Sequence, residues 1–286
     1  MSPGTLVMGA TGAVGGQLLA LLRSAGERAV GASRNPGRAA AARGGEWRGL
    51  DLERPETFPG ALRGMERVFV VARPGDEHPE EAAAPLIEAA RAAGVQRVVS
   101  LTAMGVEQDP EFGLRRMERL VEAAGLEYTH LRPNFFMQVF AAGPLAAAIR
   151  GTGTLRLPAA HARLSYVHTA DVAAAAFGVL TARGHAGRAY TLTGPEALDH
   201  DQVAEHMAGA SGRAIVYEPL TEAEARAELA ATGLGEARVE RLLGFYRRVR
   251  AGHCAPVSAA VEEITGRPPH RFAAFAAEYA SCWRGR

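Results

Sequence analysis

The chain has 286 residues, enough for one large domain or two intertwined ones with an ample core. Its 32 Lys+Arg against 31 Asp+Glu leave a net charge of +1, which removes the electrostatic case for nucleic acid or an anionic membrane surface. No apolar run approaches the roughly 20 residues of a membrane span, no basic leader with an apolar stretch opens the chain, and Cys254 and Cys282 are too few for a disulfide scaffold, so a reducing cytoplasm is the expected compartment.

In chain order, the first element is a short apolar strand, Thr5–Gly9, which opens into Gly9-Ala10-Thr11-Gly12-Ala13-Val14-Gly15-Gly16. A helical pattern follows at once over Val14–Ala25, carried by Val14, Leu18, Leu19, Leu21 and Leu22. Strand, glycine turn and helix are what a dinucleotide pyrophosphate needs. Small residues let the backbone approach the phosphates, and the amides of the first helical turn point at the negative charge. Gly9, Thr11, Gly12, Ala13, Val14 and Gly15 are the expected cofactor-binding residues of this turn.

The second strand, Ala29–Ala32, runs into Ser33-Arg34-Asn35-Pro36. An NAD-preferring site places an acidic side chain here for the ribose 2′-hydroxyl. Ser33, Arg34 and, one helical turn on, Arg38 stand there instead. A guanidinium holds a phosphate through paired, charge-assisted hydrogen bonds, which favours NADP(H), with NADPH preferred over NADH. The alternative is that both arginines are merely solvated. Asn35 and Pro36 read as N-cap and first residue of the next helix. After the third strand, Glu46–Gly49, Asp51 either reaches the adenine edge or caps a helix beginning near Pro55. The fourth strand, Arg67–Val71, is continuously apolar from Val68, as expected of a strand buried on both faces. Ala72 and Arg73 follow it and should lie beneath the cofactor's ribose–phosphate arm, because ligands of such sheets collect beyond the carboxyl ends of the strands.

Helical patterns at Glu80–Ala93 and Gly113–Ala124 precede the fifth and sixth strands, Arg97–Leu101 and Tyr128–Arg132. Alternation puts Ser100 and Thr102 on one face. Thr102, with Ala103, is expected beside the nicotinamide and is the first candidate for a hydroxyl serving a substrate carbonyl; an ordinary loop threonine is the rival. Pro133, Asn134 and Phe135 should border the nicotinamide, with Met104, Phe136 and Met137 toward the substrate, although aromatics at this spacing also serve as core. The strand–helix alternation predicts an α/β fold with a doubly wound parallel sheet.

Past residue 150 the pattern loosens. Gly151–Pro158 reads as loop and short strand, and Ser165–His168 leads into a helix from Thr169 to about Thr181. Tyr190–Thr193 reads as a strand, followed by helices at Asp201–Ala210, Thr221–Ala231, Glu236–Arg250 and Arg271–Trp283. The expected organisation is a dinucleotide-binding domain over 1–150, with parts of 165–195 returning to it, and a smaller, mostly helical substrate-binding region over 151–286.

The segments Gly9-Ala10-Thr11-Gly12-Ala13-Val14-Gly15, Arg34-Asn35-Pro36, Tyr128-Thr129-His130-Leu131-Arg132-Pro133, Thr169-Ala170-Asp171-Val172-Ala173 and Leu192-Thr193-Gly194-Pro195 come in a family order. They resemble the NmrA-like branch of atypical short-chain dehydrogenases/reductases, and the likeness runs on to Thr265-Gly266-Arg267-Pro268-Pro269. It implies a Rossmann sheet binding NADP(H). It also implies either an NADPH-dependent reductase of quinones or of bulky, polycyclic aromatic ketones of polyketide type, as in antibiotic biosynthesis, or a non-catalytic redox-sensing regulator.

The larger superfamily relies on a Tyr-x-x-x-Lys pair. The corresponding positions here are about Pro110 and Leu114, and all 32 basic residues of the chain are arginine. Hydride transfer needs mostly proximity, but a developing alkoxide still needs a hydrogen bond or proton. Thr102, Ser100, His168, Tyr166 and ordered water are the candidate donors, and a substrate with its own adjacent phenol would serve itself. His168 is otherwise a structural histidine, and Asp171 is expected to cap or pin the helix it opens. No metal is expected, since His200 and His206 are six apart rather than the four that share a helix face. No Gly-x-Ser-x-Gly elbow anchors hydrolase chemistry. Arg247, Arg248 and Arg250 read as the solvated side of a helix whose apolar side is Leu242, Leu243, Tyr246 and Val249. The expected partner is a small carbonyl or quinone.

Overall fold

The computed structural model describes residues 4–285, and the chain divides into two compact units. The first unit is Met1–Pro133 with Thr169–Leu192 and Glu263–Gly266, and the second is Asn134–His168, Thr193–Glu262 and Arg267–Arg286. The chain thus leaves the first unit at Pro133 rather than at 150, because Met137, Phe140, Ile149 and Leu155 join the core of the second unit.

Along the first passage the elements are β1 (Thr5–Val7), α1 (Ala13–Ser24), β2 (Ala29–Ser33), α2 (Pro36–Arg43), β3 (Trp47–Gly49) and α3 (Phe58–Leu62). They continue as β4 (Arg67–Val71), α4 (Pro79–Ala92), β5 (Arg97–Leu101), α5 (Gly113–Ala123) and β6 (Glu127–Pro133). In the second unit follow α6 (Gly143–Thr152) and β7 (Thr154–Leu157), before α7 (Thr169–Thr181) and β8 (Arg188–Leu192) return to the first. The remainder holds α8 (His200–Ser211), β9 (Val216–Pro219), α9 (Glu222–Ala231), α10 (Glu236–Arg250), α11 (Ala260–Thr265) and α12 (Phe272–Glu278).

In the first unit seven strands form a parallel sheet in the order β3-β2-β1-β4-β5-β6-β8. The order reverses between β1 and β4, the switch point beyond whose carboxyl ends a doubly wound sheet binds ligands. Burial explains the ladder: Leu6, Val68, Phe69, Val98, Val99 and Leu131 are each almost wholly removed from solvent. Such apolar side chains contribute about 1.5–3 kcal/mol apiece. On α1 the buried positions Val14, Leu18 and Leu22 recur at helical spacing and lay that helix on the sheet. On the edge of the same sheet, β8 pairs with β6.

The second unit is mostly helical around its own core, built on Phe140, Tyr166, Phe272, Phe275 and Trp283. Its two short strands, β7 and β9, run parallel to each other. The cationic side of α10 faces solvent as expected, with Arg247 and Arg250 exposed, and it also carries an ion-pair network. Arg247 and Arg250 both pair with Glu222 of α9, and burial is not what moves these groups: hydrogen bonds from Arg247 and Arg250 hold the Glu222 carboxyl down to about 2. No helix of the described residues is long and apolar enough to cross a membrane.

Candidate functional site

Between β1 and α1 the chain turns on Gly9, whose φ of +62° lies in the left-handed region. A Cβ there would also sit 2.7 Å from Cγ1 of Val71 on β4. The Gly12 N–H donates to the Gly9 carbonyl at 2.8 Å, closing the turn, and Gly16 N–H donates to Gly12 at 3.0 Å as the helix starts. Gly15 lies directly over the turn, where a Cβ would come within 2.4 Å of the Gly9 oxygen. Val14 and Gly15 are buried, whereas Gly9, Thr11, Gly12 and Ala13 face solvent. No side chain caps α1 and no acidic residue stands in its first turn. The first amides of a helix have no intrahelical partner, so this is an open, bare and electropositive cradle that fits a diphosphate.

Beyond β2, Ser33 is half-buried and its Oγ accepts the Asn35 N–H at 3.1 Å. Asn35 occupies the N-cap position of α2 but makes no capping bond with its side chain; Pro36 does open the helix. Arg34 and Arg38 are exposed, and among the described residues neither guanidinium has an ion-pair or hydrogen-bond partner. Exposed and unpaired at the end of β2, these two cations are free to meet an anion. Arg43, which the sequence reading passed over, belongs to the same neighbourhood: its Nη2 donates to the Thr11 carbonyl at 2.9 Å. Only its place in the last turn of α2 hints at this, because side-chain reach across 32 residues leaves no local pattern.

Two expected cofactor residues have other partners. Arg73 is bound to Glu53 and, at 3.2 Å, to Asp76, so its charge is already matched. Asp51 accepts the Glu53 N–H at 3.2 Å in a turn of its own, and Arg54 rather than Asp51 precedes the short helical turn at Pro55–Thr57. Ala72 is half-buried at the end of β4.

At the ends of β5 and β6 the structure reveals a buried polar network. Glu118 of α5 is fully buried and accepts Thr102 Oγ1 at 2.7 Å, Arg132 Nε and Nη2 at 2.9 and 2.8 Å, and Arg115 Nη1 at 2.9 Å. Burial pushes the Glu118 carboxyl up, but the hydrogen bonds from Arg132 and Thr102, with the neighbouring positive charge, hold it below its ordinary value. Ser100 Oγ lies 2.6 Å from Nδ1 of His130, whose Nε2 faces Glu122 at 3.3 Å. Burial pulls this imidazole below its ordinary value. The structure therefore gives Ser100 and Thr102 partners within the chain rather than a substrate carbonyl: both hydroxyls turn into the fold. Glu118, Glu122 and His130 are close enough to share an ion. Arg115 bridges both carboxylates and Arg132 the first, so the negative charge a cation would need is already neutralised. The adjoining backbone is fixed too, with Thr102 N–H on Leu131 O and Met104 N–H on Pro133 O, both at 2.9 Å. Ala103 and Met104 are half-buried there.

In the second unit the residues expected near the nicotinamide or substrate divide. Phe136 is partly exposed, and Phe135 stacks on Phe245 with ring centroids 3.9 Å apart. Asn134 is pinned inside, donating to Ser165 Oγ and the Cys254 carbonyl at 2.9 and 2.8 Å. Met137 is a core side chain, 1% exposed. Tyr166 is a core residue rather than a proton donor: its hydroxyl meets His200 Nε2 at 2.8 Å, and burial pushes it well up from its ordinary value. His200 is pulled down to about 4, chiefly by burial, and is neutral there. His168 is buried as well, stacked on His270 at 4.6 Å with Glu278 3.9 Å from its Nε2. Asp171 lies buried in the first turn of α7.

Comparison with known proteins places this geometry. Residues 9–183 match the NAD(P)H-binding family. The chain is 33% identical over 284 residues to an NAD(P)H azoreductase of Xenophilus azovorans, covering 97% of this chain and 98% of that protein. It is 35% identical over 290 residues to a (4-alkanoyl-5-oxo-2,5-dihydrofuran-3-yl)methyl phosphate reductase of Streptomyces griseus, covering 97% and 98%. Among solved structures, an NADPH-dependent quinone oxidoreductase of Escherichia coli complexed with NADPH superposes with a TM-score of 0.85 at 26% identity, covering 96% of this chain and 99% of that one.

Proposed function

The chain belongs to the NAD(P)H-binding family, and from that premise we propose that it is an NADPH-dependent reductase of extended conjugated acceptors: quinones, azo compounds and polycyclic aromatic ketones of polyketide type. The observation that carries this reading is the open glycine turn together with the unpartnered guanidiniums of Arg34 and Arg38. The turn's amides would hold the pyrophosphate and the two arginines the 2′-phosphate, while Ala72, Ala103 and Met104 border the carboxyl ends of the central strands. Bound NADPH would supply the hydride.

The hydroxyls bear on the acceptor. With Ser100 and Thr102 engaged by His130 and Glu118, and no lysine in the chain, the strand ends offer no ready proton for a strongly basic alkoxide. A quinone needs none, because its reduced anion is spread over the ring and takes a proton from water. An aromatic ketone beside a phenol carries its own donor. The azoreductase and quinone oxidoreductase likenesses fit that class.

Purified protein is expected to consume NADPH with a naphthoquinone, an azo dye or a peri-hydroxylated polycyclic ketone, and not with an isolated aliphatic ketone. Tight NADPH binding without turnover across that panel would replace this reading with a non-catalytic redox sensor. Arg34→Ala is expected to raise the NADPH dissociation constant by about tenfold or more while moving NADH by less than about twofold, since only NADPH carries the phosphate. Equal losses for both coenzymes, measured by titration calorimetry, would show that Arg34 does not read the 2′-position.

A further inference from the structure

We infer that Arg43 is a positioning residue for the coenzyme's pyrophosphate, acting through the backbone of the glycine turn. The inference rests on that turn being the coenzyme cradle. The peptide between Thr11 and Gly12 is held at both ends: its N–H donates to the Gly9 carbonyl at 2.8 Å, and its carbonyl accepts Arg43 Nη2 at 2.9 Å. A peptide plane is rigid, so fixing both its polar ends fixes the direction in which the next amides, those of Ala13 and Val14, emerge. Without Arg43 the plane is held only at its N–H, and the Thr11 carbonyl loses the restraint that keeps its negative end from the place where phosphate oxygens gather.

Gly16 supplies a second, independent observation. A Cβ there would lie 2.9 Å from Arg43 Nη1 and 3.2 Å from the Ala10 carbonyl. Glycine at 16 therefore leaves the channel through which the guanidinium reaches the turn. Arg43 is exposed, and the guanidinium offers five N–H donors, so several remain beside the cradle after the Thr11 bond is made. Its charge adds to that of the helix terminus.

This role separates Arg43 from Arg34. The pyrophosphate is common to NADPH and NADH, so Arg43→Ala is expected to weaken both by the same factor, about tenfold, measured as dissociation constants by calorimetry. Arg43→Lys, which keeps one donor and the charge, is expected to recover most of that loss for both coenzymes. The melting temperature of the coenzyme-free variants should stay within about 2 °C of the parent, as for an exposed side chain. Loss confined to NADPH would overturn the inference by making Arg43 a 2′-phosphate ligand. Unchanged affinity, or losses that track a fall in melting temperature, would overturn it equally. Failure of the parent protein to bind either coenzyme would instead refute the cradle itself.

Discussion

Glu118→Ala is expected to destabilise the protein by about 3 kcal/mol, lowering its melting temperature by about 6–12 °C. The fully buried carboxylate is the hub of four hydrogen bonds from Thr102, Arg115 and Arg132. Removing it strands two cations whose side chains are 17% and 13% exposed. Breaking a buried pair from one side costs about 3–5 kcal/mol, because the surviving charge keeps its desolvation penalty and loses its compensation. The lower end applies here, since Arg115 keeps Glu122 and Arg132 keeps Glu107. The sign with pH follows from the carboxyl being held below its ordinary value of 4.5. Its contribution is complete above that pH and fades as pH falls through the lower folded value. The gap between parent and variant, measured by denaturant titration, should therefore be constant at neutral pH and shrink in acid. A gap under about 1 kcal/mol at pH 7 would show that the network is ornamental.

Gly15→Ala is the second large effect, and it falls on the coenzyme. The added methyl would sit 2.4 Å from the Gly9 oxygen, 2.7 Å from its carbonyl carbon and 2.9 Å from the Met8 oxygen. All three are backbone atoms, so no side chain can swing aside; either the turn or the start of α1 must move. Overpacking of this kind costs about 1–3 kcal/mol in stability. A cradle displaced by about 1 Å loses on the order of a hundredfold in the function it positions. NADPH affinity should fall by about that factor while the circular dichroism of the folded protein is retained. Gly16→Ala is the graded comparison, since its methyl chiefly meets the movable tip of Arg43. If Gly15→Ala bound NADPH as tightly as the parent, the close approach of helix and turn would not matter for binding.

Much of the framework was legible because local chemistry dictates it. The strands at Arg67–Val71 and Arg97–Leu101 fall where short valine-rich apolar runs place them, the helix at Glu236–Arg250 follows apolar periodicity, and Thr169–Thr181 reads as a helix apolar on nearly every side. The strand Val216–Pro219 escaped notice because only Tyr217 within it is buried, leaving no alternation to read. The helix Gly143–Thr152 hides behind an opening Gly-Pro and a run of alanines, with only Ala146 and Ile149 buried. At the candidate site the glycine turn and the exposed Arg34 and Arg38 are local and readable, whereas Arg43 is not. The engagement of Thr102 by Glu118 and of Ser100 by His130 is not, since sheet register and helix packing bring those partners together from 16 and 30 residues away. Tyr166 and Met137 illustrate the converse: residue types that suit a pocket wall equally suit a core, and here the core holds them.

The way the first unit is assembled from separate passages has a consequence during synthesis. Gln17 of α1 donates to Thr169 of α7 at 3.0 Å, a contact spanning 152 residues. Ile264 closes on the same helix, where a Cβ on Gly178 would meet its Cγ2 at 2.8 Å. At a ribosomal pace of about 5–20 residues per second, α1 waits on the order of 10–30 s for the helix that braces it. The glycine turn is among the first structures to emerge, and the helix that follows it gains its α7 contact only later. A ribosome stalled before residue 169 would therefore present a glycine turn whose helix α1 rests on the sheet but lacks its α7 partner.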